Sequence, residues 1–153
     1  MADWIQRAPV GVRVTAKSGE RVSVFARSHR AVLGKGWSFD IAEPEMTGAE
    51  LLLGALASDV IGLFFELAKK RRAPVDEVEA TVKGELADPL VHLGVIGAEG
   101  EPRYSSFTLR AYAGSSAPEE LLQEIWREAL RRAPLANTLR RAAALEAALQ
   151  ISP

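Results

Sequence analysis

Of the side chains able to do chemistry, Asp59 sits in the least ordinary place. It lies near the middle of Leu51–Leu67, a run that is otherwise almost wholly apolar. An ionised carboxylate there is too costly to leave alone, so it should find an arginine, a helix or loop N–H, or a proton. Three roles follow: a paired carboxylate fixing helix register at an interface, a contact to a bound ligand, or a general acid or base acting on an ester or carbonyl. His29, flanked by Arg27 and Arg30, could line a cleft with Arg30, or be solvated at a strand end. His92 lies in a glycine-rich stretch and carries less. Trp37, Phe39, Phe64 and Phe65 could wall an apolar pocket, although aromatic residues more often fill the core. Arg131-Arg132 and Arg140-Arg141 offer cations to Asp59 or to an anionic ligand, or form a solvated face.

The 153 residues are 48% hydrophobic and 25% charged, with a net charge of -1 and no cysteine. This is the composition of one globular domain, here residues 1–153, not of a disordered or fibrous chain. Without cysteine there are no disulfides, iron–sulfur clusters, thiolate zinc sites or thiol catalysis. Two histidines are too few for a multi-histidine metal site, so neither metal nor cofactor is expected. The charge balance gives no electrostatic reason for a nucleic-acid or anionic-membrane partner. Met1-Ala2-Asp3-Trp4 has no basic segment leading into an apolar one, and a cytoplasmic protein is expected. Leu51–Leu67 is short for a bilayer, which needs about 20 apolar residues. Asp59 at the centre of such a span would cost roughly 2.5–3.5 kcal/mol, so a buried helix of a soluble protein is the better reading.

The elements that must position these groups follow from periodicity. Val10, Val12 and Val14 alternate with Gly11, Arg13 and Thr15, and Val22, Val24 and Ala26 repeat the pattern after Lys17-Ser18-Gly19-Glu20, predicting a β-hairpin. A second pair is expected at Ala31–Leu33 and Trp37–Phe39, joined by Gly34-Lys35-Gly36. Thr47-Gly48-Ala49-Glu50 has the spacing of a capping box and opens a helix to about Lys70, a rod of roughly 35 Å. Lys69 to Arg72 complement its negative end and Pro74 stops it. Apolar nearly all round, with small residues Gly54, Ala55, Ala57, Ser58 and Gly62, this helix needs cover on every face. A domain this small can hardly supply it alone, which points to a second subunit. Val78–Leu86 and Tyr104–Ala113 read as strands, with a loop between. Ser116-Ala117-Pro118-Glu119 reads as a second capping box, opening a helix that carries the stripe from Leu121 to Leu130 up to Pro134. Ala142–Ile151 favours helix by propensity, with only its last residues strand-like. Strands, long helix, strands, helices and tail make an α+β chain.

That order, with Thr47-Gly48-Ala49-Glu50-Leu51-Leu52-Leu53-Gly54-Ala55-Leu56-Ala57-Ser58-Asp59, resembles the OsmC/Ohr family of osmotically inducible and organic hydroperoxide resistance proteins. Leu130-Arg131-Arg132-Ala133-Pro134-Leu135-Ala136-Asn137-Thr138 is similar to the family's second-cysteine segment, so the likeness runs from about Val10 to Asn137. It implies an antiparallel sheet wrapped around a long central helix, an intertwined homodimer with its sites at the subunit interface, and a strand for the C-terminal tail.

The resemblance also shows what this chain lacks. In the family a reactive cysteine attacks the peroxide, a second resolves the sulfenic acid, and an Arg–Glu pair activates the first. Here the first position is Asp59 and the second Ala133; the activating Glu matches Ala49, with Glu50 one place later as the capping acid, and no matching Arg is evident in the first hairpin turn. A carboxylate cannot replace a thiolate as a nucleophile toward an O–O bond, so thiol peroxidase chemistry is excluded. The leading expectation is a repurposed dimer binding a small apolar molecule in its interface cleft, with Asp59, His29, Arg30, Trp37, Phe39 and Phe64 as candidate contacts. The alternatives are an enzyme using Asp59 as general acid or base, and a purely structural or interaction protein related to oxidative-stress defence.

Overall fold

The computed structural model of the chain describes residues 6–19, 21–40 and 42–153; Met1–Trp4 and Glu20 of the sequence argument lie outside them. Its elements group into two units, one up to Leu51 and one from Leu52.

In the first unit, β1 (Arg13–Thr15), β2 (Val22–Ala26) and β3 (His29–Leu33) form an antiparallel sheet in that order. The β1–β2 pair is the expected hairpin, with Gly19 at φ +78 in its turn. Only Arg13–Thr15 of the alternating run is paired, and Val10 is 97% exposed. The second hairpin departs from expectation. β3 pairs with β2, from Ala26↔His29 to Val22↔Leu33, across a two-residue turn at Arg27-Ser28; Trp37–Phe39 is not a strand. Arg27 takes φ +55 in that turn. Tight hairpin turns usually mark themselves with Gly or Asn at such a position, and here neither is present.

The helix α1 (Gly48–Lys70) opens with the capping box intact. Glu50 N–H donates to Thr47 Oγ1 at 3.1 Å and Thr47 N–H to Glu50 Oε2 at 2.7 Å. Its far end closes with Arg72 in the left-handed region (φ +54), while Ala73 N–H reaches Ala68 O at 2.9 Å and Arg72 N–H reaches Lys69 O at 3.1 Å. These paired bonds are a Schellman closure, made before Pro74 is reached.

In the second unit, β4 (Glu77–Ala87) pairs antiparallel with β5 (Arg103–Gly114), and β6 (Ala144–Ser152) lies parallel on the other side of β5. The β4–β5 connection holds a single short helix, α2 (Pro89–His92), entered through Asp88 at φ +50. A parallel partner needs a long crossover, supplied here by α3 (Glu119–Arg132) and α4 (Pro134–Ala142). The tail is therefore a strand despite its alanines, since pairing with β5 from Ser106 to Gly114 overrides a modest helix preference. The start of α3 differs from expectation. Pro118, without a side-chain cap, precedes the helix, and Ser115 rather than Ser116 supplies the hydroxyl, accepting Ala117 N–H at 3.0 Å and donating to Pro74 O.

The core of this unit joins three surfaces. Leu56, Val60, Phe64 and Ala68 recur every fourth residue of α1, which puts them on one stripe. They cluster with Leu122, Ile125, Trp126 and Ala129 of α3 and with Phe107, Leu109, Ala111 and Ala113 of β5. By length and composition α1 could cross a membrane, but this stripe makes it the central helix of the unit.

Candidate functional site

Asp59 immediately precedes Val60 of the buried stripe and is half-buried. Its Oδ2 accepts a hydrogen bond from Leu135 N–H at 2.9 Å, so the partner is a helix N–H rather than an arginine. The start of α4 explains the choice. Ala133 occupies the N-cap position with extended backbone and no side chain able to cap, and Pro134 follows as the first helical residue without an N–H. The next amide, at Leu135, would point outward unsatisfied. Asp59, 76 residues earlier in the chain, supplies the missing acceptor and places its carboxylate at the positive end of the helix dipole. Ala133 itself is fully buried.

Two of the four arginines weighed as partners, Arg131 and Arg140, are occupied otherwise. Arg131 Nη2 pairs with Glu128 Oε1 at 2.7 Å; the hydrogen bond holds the Glu128 carboxyl below its ordinary range and raises Arg131. Arg140 Nη1 donates to Asn137 Oδ1 at 3.2 Å, and Asn137 Nδ2 donates to Arg131 O at 2.9 Å, tying the end of α3 to α4. Arg132 and Arg141 are exposed.

The remaining candidates fall as follows. Phe64 is fully buried, its ring edge-on to Trp126 (5.9 Å between centroids) and to Phe65 (6.3 Å). His92 ends α2 and is exposed. In the first unit, His29 is the exposed opening residue of β3. Arg30 beside it donates from Nε and Nη2 to Ser23 Oγ at 3.2 and 2.9 Å. Trp37 and Phe39 meet edge to face at 5.0 Å between centroids, with Phe39 70% exposed.

Two features of the first unit were not anticipated. Arg21 is paired with Glu43, and this hydrogen bond holds the Glu43 carboxyl below its usual range. The pair borders a cleft of about 560 Å³, also lined by Val22, Gly34, Lys35 and Asp40. The second is Phe25, with guanidinium groups from Arg13 and Arg30 over its ring. Strand alternation could have flagged this trio only once the β2–β3 register was known. The Leu135 partner did leave a trace in the sequence, because an Ala-Pro helix start has no cap of its own. Among the described residues no group of three or more His, Asp or Glu side chains is placed to hold a metal ion.

The family model described as OsmC-like protein matches residues 42–148. A comparison with curated proteins finds no match. Among solved structures, the OsmC-like protein of Mycoplasma pneumoniae superposes with a TM-score of 0.76 at 13% identity, over 94% of this chain and 96% of that one. An OsmC-like protein of unknown function from Vibrio cholerae gives 0.72 at 16% identity, over 94% and 99%. The organic hydroperoxide resistance protein OhrB of Bacillus subtilis gives 0.61 at 14%, over 94% and 98%. At such identities the likeness speaks for the fold.

Proposed function

The chain belongs to the family of OsmC-like proteins, and from that footing we propose that it is a cysteine-free homodimer that binds a small apolar molecule in a cleft between its subunits. On this reading it is one OsmC-like domain over residues 1–153, resident in the cytoplasm. The observation that carries the departure from peroxide chemistry is the bond from Leu135 N–H to Asp59. At the position of the family's reactive cysteine stands a carboxylate engaged in closing a helix, and the 153 residues offer no thiol to form a sulfenic acid.

The apolar surface of α1 supports the dimer and the nature of the ligand. Within the chain only one stripe of four residues is fully covered, while Phe65 remains 39% exposed. Burying apolar surface is worth about 25 cal/mol per Å², which favours a second copy over solvent. A cleft walled by such residues selects an apolar occupant.

Sedimentation and thermal melts of the purified protein with decanoic acid, farnesol and naphthalene as probes test this. The expected result is a dimer whose Tm rises saturably with at least one probe, since ligand at 100 times its Kd stabilises by about 2.7 kcal/mol. A monomer, or melts unmoved by all three, overturns the reading, as does hydroperoxide reduction with dithiothreitol above the uncatalysed rate.

One observation favours a second reading. Among the described residues only Oδ2 of Asp59 is engaged, which leaves Oδ1 available as a general base. On that reading Asp59→Asn abolishes hydrolysis of a p-nitrophenyl ester while the melt changes little, and unchanged turnover removes it.

A further inference from the structure

The polar face of the β1–β2–β3 sheet holds an arrangement that the cleft reading does not use. Arg13, Phe25 and Arg30 lie directly opposite one another on the three strands, so their side chains share one face. The Arg13 guanidinium carbon stands 4.5 Å from the Phe25 ring centroid and that of Arg30 5.8 Å, both within the ~6 Å over which a ring attracts a cation. Arg30 is further fixed by its two bonds to Ser23 Oγ, and Ser23 is only 7% exposed. Among the described residues, these bonds engage Nε and Nη2 of Arg30 and not Nη1.

Two cations gathered on one ring repel each other unless an anion joins them, and the described residues of the unit pair none with either. Among the described residues, Asp40 accepts Ala42 N–H, Glu43 and Glu45 face Arg21, and Glu50 caps α1. Neither Arg13 nor Arg30 has a carboxylate partner there. The excess of cations is confined to the segment that carries the strands. Residues 1–36 hold seven Lys or Arg against two acids, Asp3 and Glu20, and the unit's other acids, Asp40, Glu43, Glu45 and Glu50, follow after it. Such local excess draws in counter-ions, and guanidinium forks suit oxyanions, which accept parallel N–H bonds.

We propose that Arg13 and Arg30, stacked on Phe25 and with Arg30 held by Ser23, form a binding site for an oxyanion group, a carboxylate or a phosphate. It needs only one sheet and stands whether or not the subunit cleft takes an apolar molecule. The group could belong to free phosphate or to a small organic acid, and two probes separate these sources.

The test is a titration of the intact protein with inorganic phosphate and, separately, with acetate at constant ionic strength, following the arginine Nε–Hε signals by NMR. The expected result is saturable shifts at Arg13 and Arg30 with at least one probe, while Arg103 and Arg127 stay flat. Saturation by phosphate alone assigns a phosphate site, and saturation by acetate, alone or with phosphate, a site that accepts carboxylates. Arg13→Gln should weaken binding at least 5-fold, and Arg13→Lys should restore part of it. Phe25→Leu keeps both charges but releases their stacking, and should weaken binding with the melt monitored in parallel. Linear shifts shared by all arginines, or equal affinity in Arg13→Gln, overturn the proposal.

Discussion

The carboxylate of Asp59 closes the open end of a helix that begins 75 residues further along the chain, accepting Leu135 N–H at 2.9 Å. Asp59 thus satisfies the backbone two residues after Ala133, these being the two positions that the resemblance matches to the family's cysteines. The bond is a structural tie between α1 and α4.

If that tie is a helix cap, Asp59→Ala should lower stability by about 1–2 kcal/mol, the usual cost of removing an N-cap acceptor, including its dipole contribution. In a chain of this size that is a drop in Tm of roughly 2–8 °C. Asp59→Asn keeps an acceptor oxygen and loses only the charge, so its loss should stay under about 1 kcal/mol. Urea midpoints of the three proteins at pH 7 decide the matter. Equal midpoints for Asp59→Ala and the parent would dismiss the cap.

The closure of α1 carries a correctable strain. Arg72 takes φ +54 at the position where such closures ordinarily use glycine. A side chain in the left-handed region costs roughly 1 kcal/mol, partly offset by the greater freedom glycine has in the unfolded chain. Arg72→Gly should therefore raise stability by about 0.5 kcal/mol, read as a higher urea midpoint at unchanged slope. A lower midpoint would mean that the arginine side chain contributes contacts worth more than the strain.

Much of this architecture was readable in advance, for reasons that differ by element. The Thr47 box and the alternation of β4 and β5 announce themselves because local hydrogen bonding and a two-residue period leave direct marks. The β2–β3 turn did not, because Arg27-Ser28 lacks the glycine that usually admits positive φ. The tail favoured helix by propensity and became a strand through pairing with β5, which no local window contains. Asp59 could be singled out from its apolar surroundings alone, and an N–H partner was among the choices. That the amide belongs to Leu135 depends on the packing of α4 near α1, a distance invisible to sequence spacing.

Acid stability should carry the mark of two surface pairs. The hydrogen bond from Lys70 lowers the Glu66 carboxyl below its ordinary value, and that from Arg131 lowers Glu128. For a carboxylate depressed in the folded state, the contribution is complete above the unfolded value near 4.3 and is lost as pH falls through the folded one. A Glu66→Gln, Glu128→Gln variant should thus be less stable than the parent at pH 7, and the gap should close between pH 5 and pH 2. A gap constant over that range would show that the two pairs contribute nothing through ionisation. The matching rise at Arg131 has its window at the alkaline extreme, where a protonated arginine would be lost only above its ordinary pKa.

Phe65 gives the sharpest handle on assembly. Its neighbour Phe64 is fully buried, yet Phe65 is 39% exposed on a helix apolar nearly all round. If a second copy covers that face, Phe65→Glu would bury a charge without a partner and weaken the dimer severely, since an unpaired charge at an interface costs several kcal/mol. Because Phe65 lies outside the buried stripe, the protomer should still fold, with its far-ultraviolet spectrum unchanged. Sedimentation equilibrium over a micromolar concentration range should show the parent as a dimer and the variant as a monomer. A variant that remains fully dimeric would move the interface away from this face of α1.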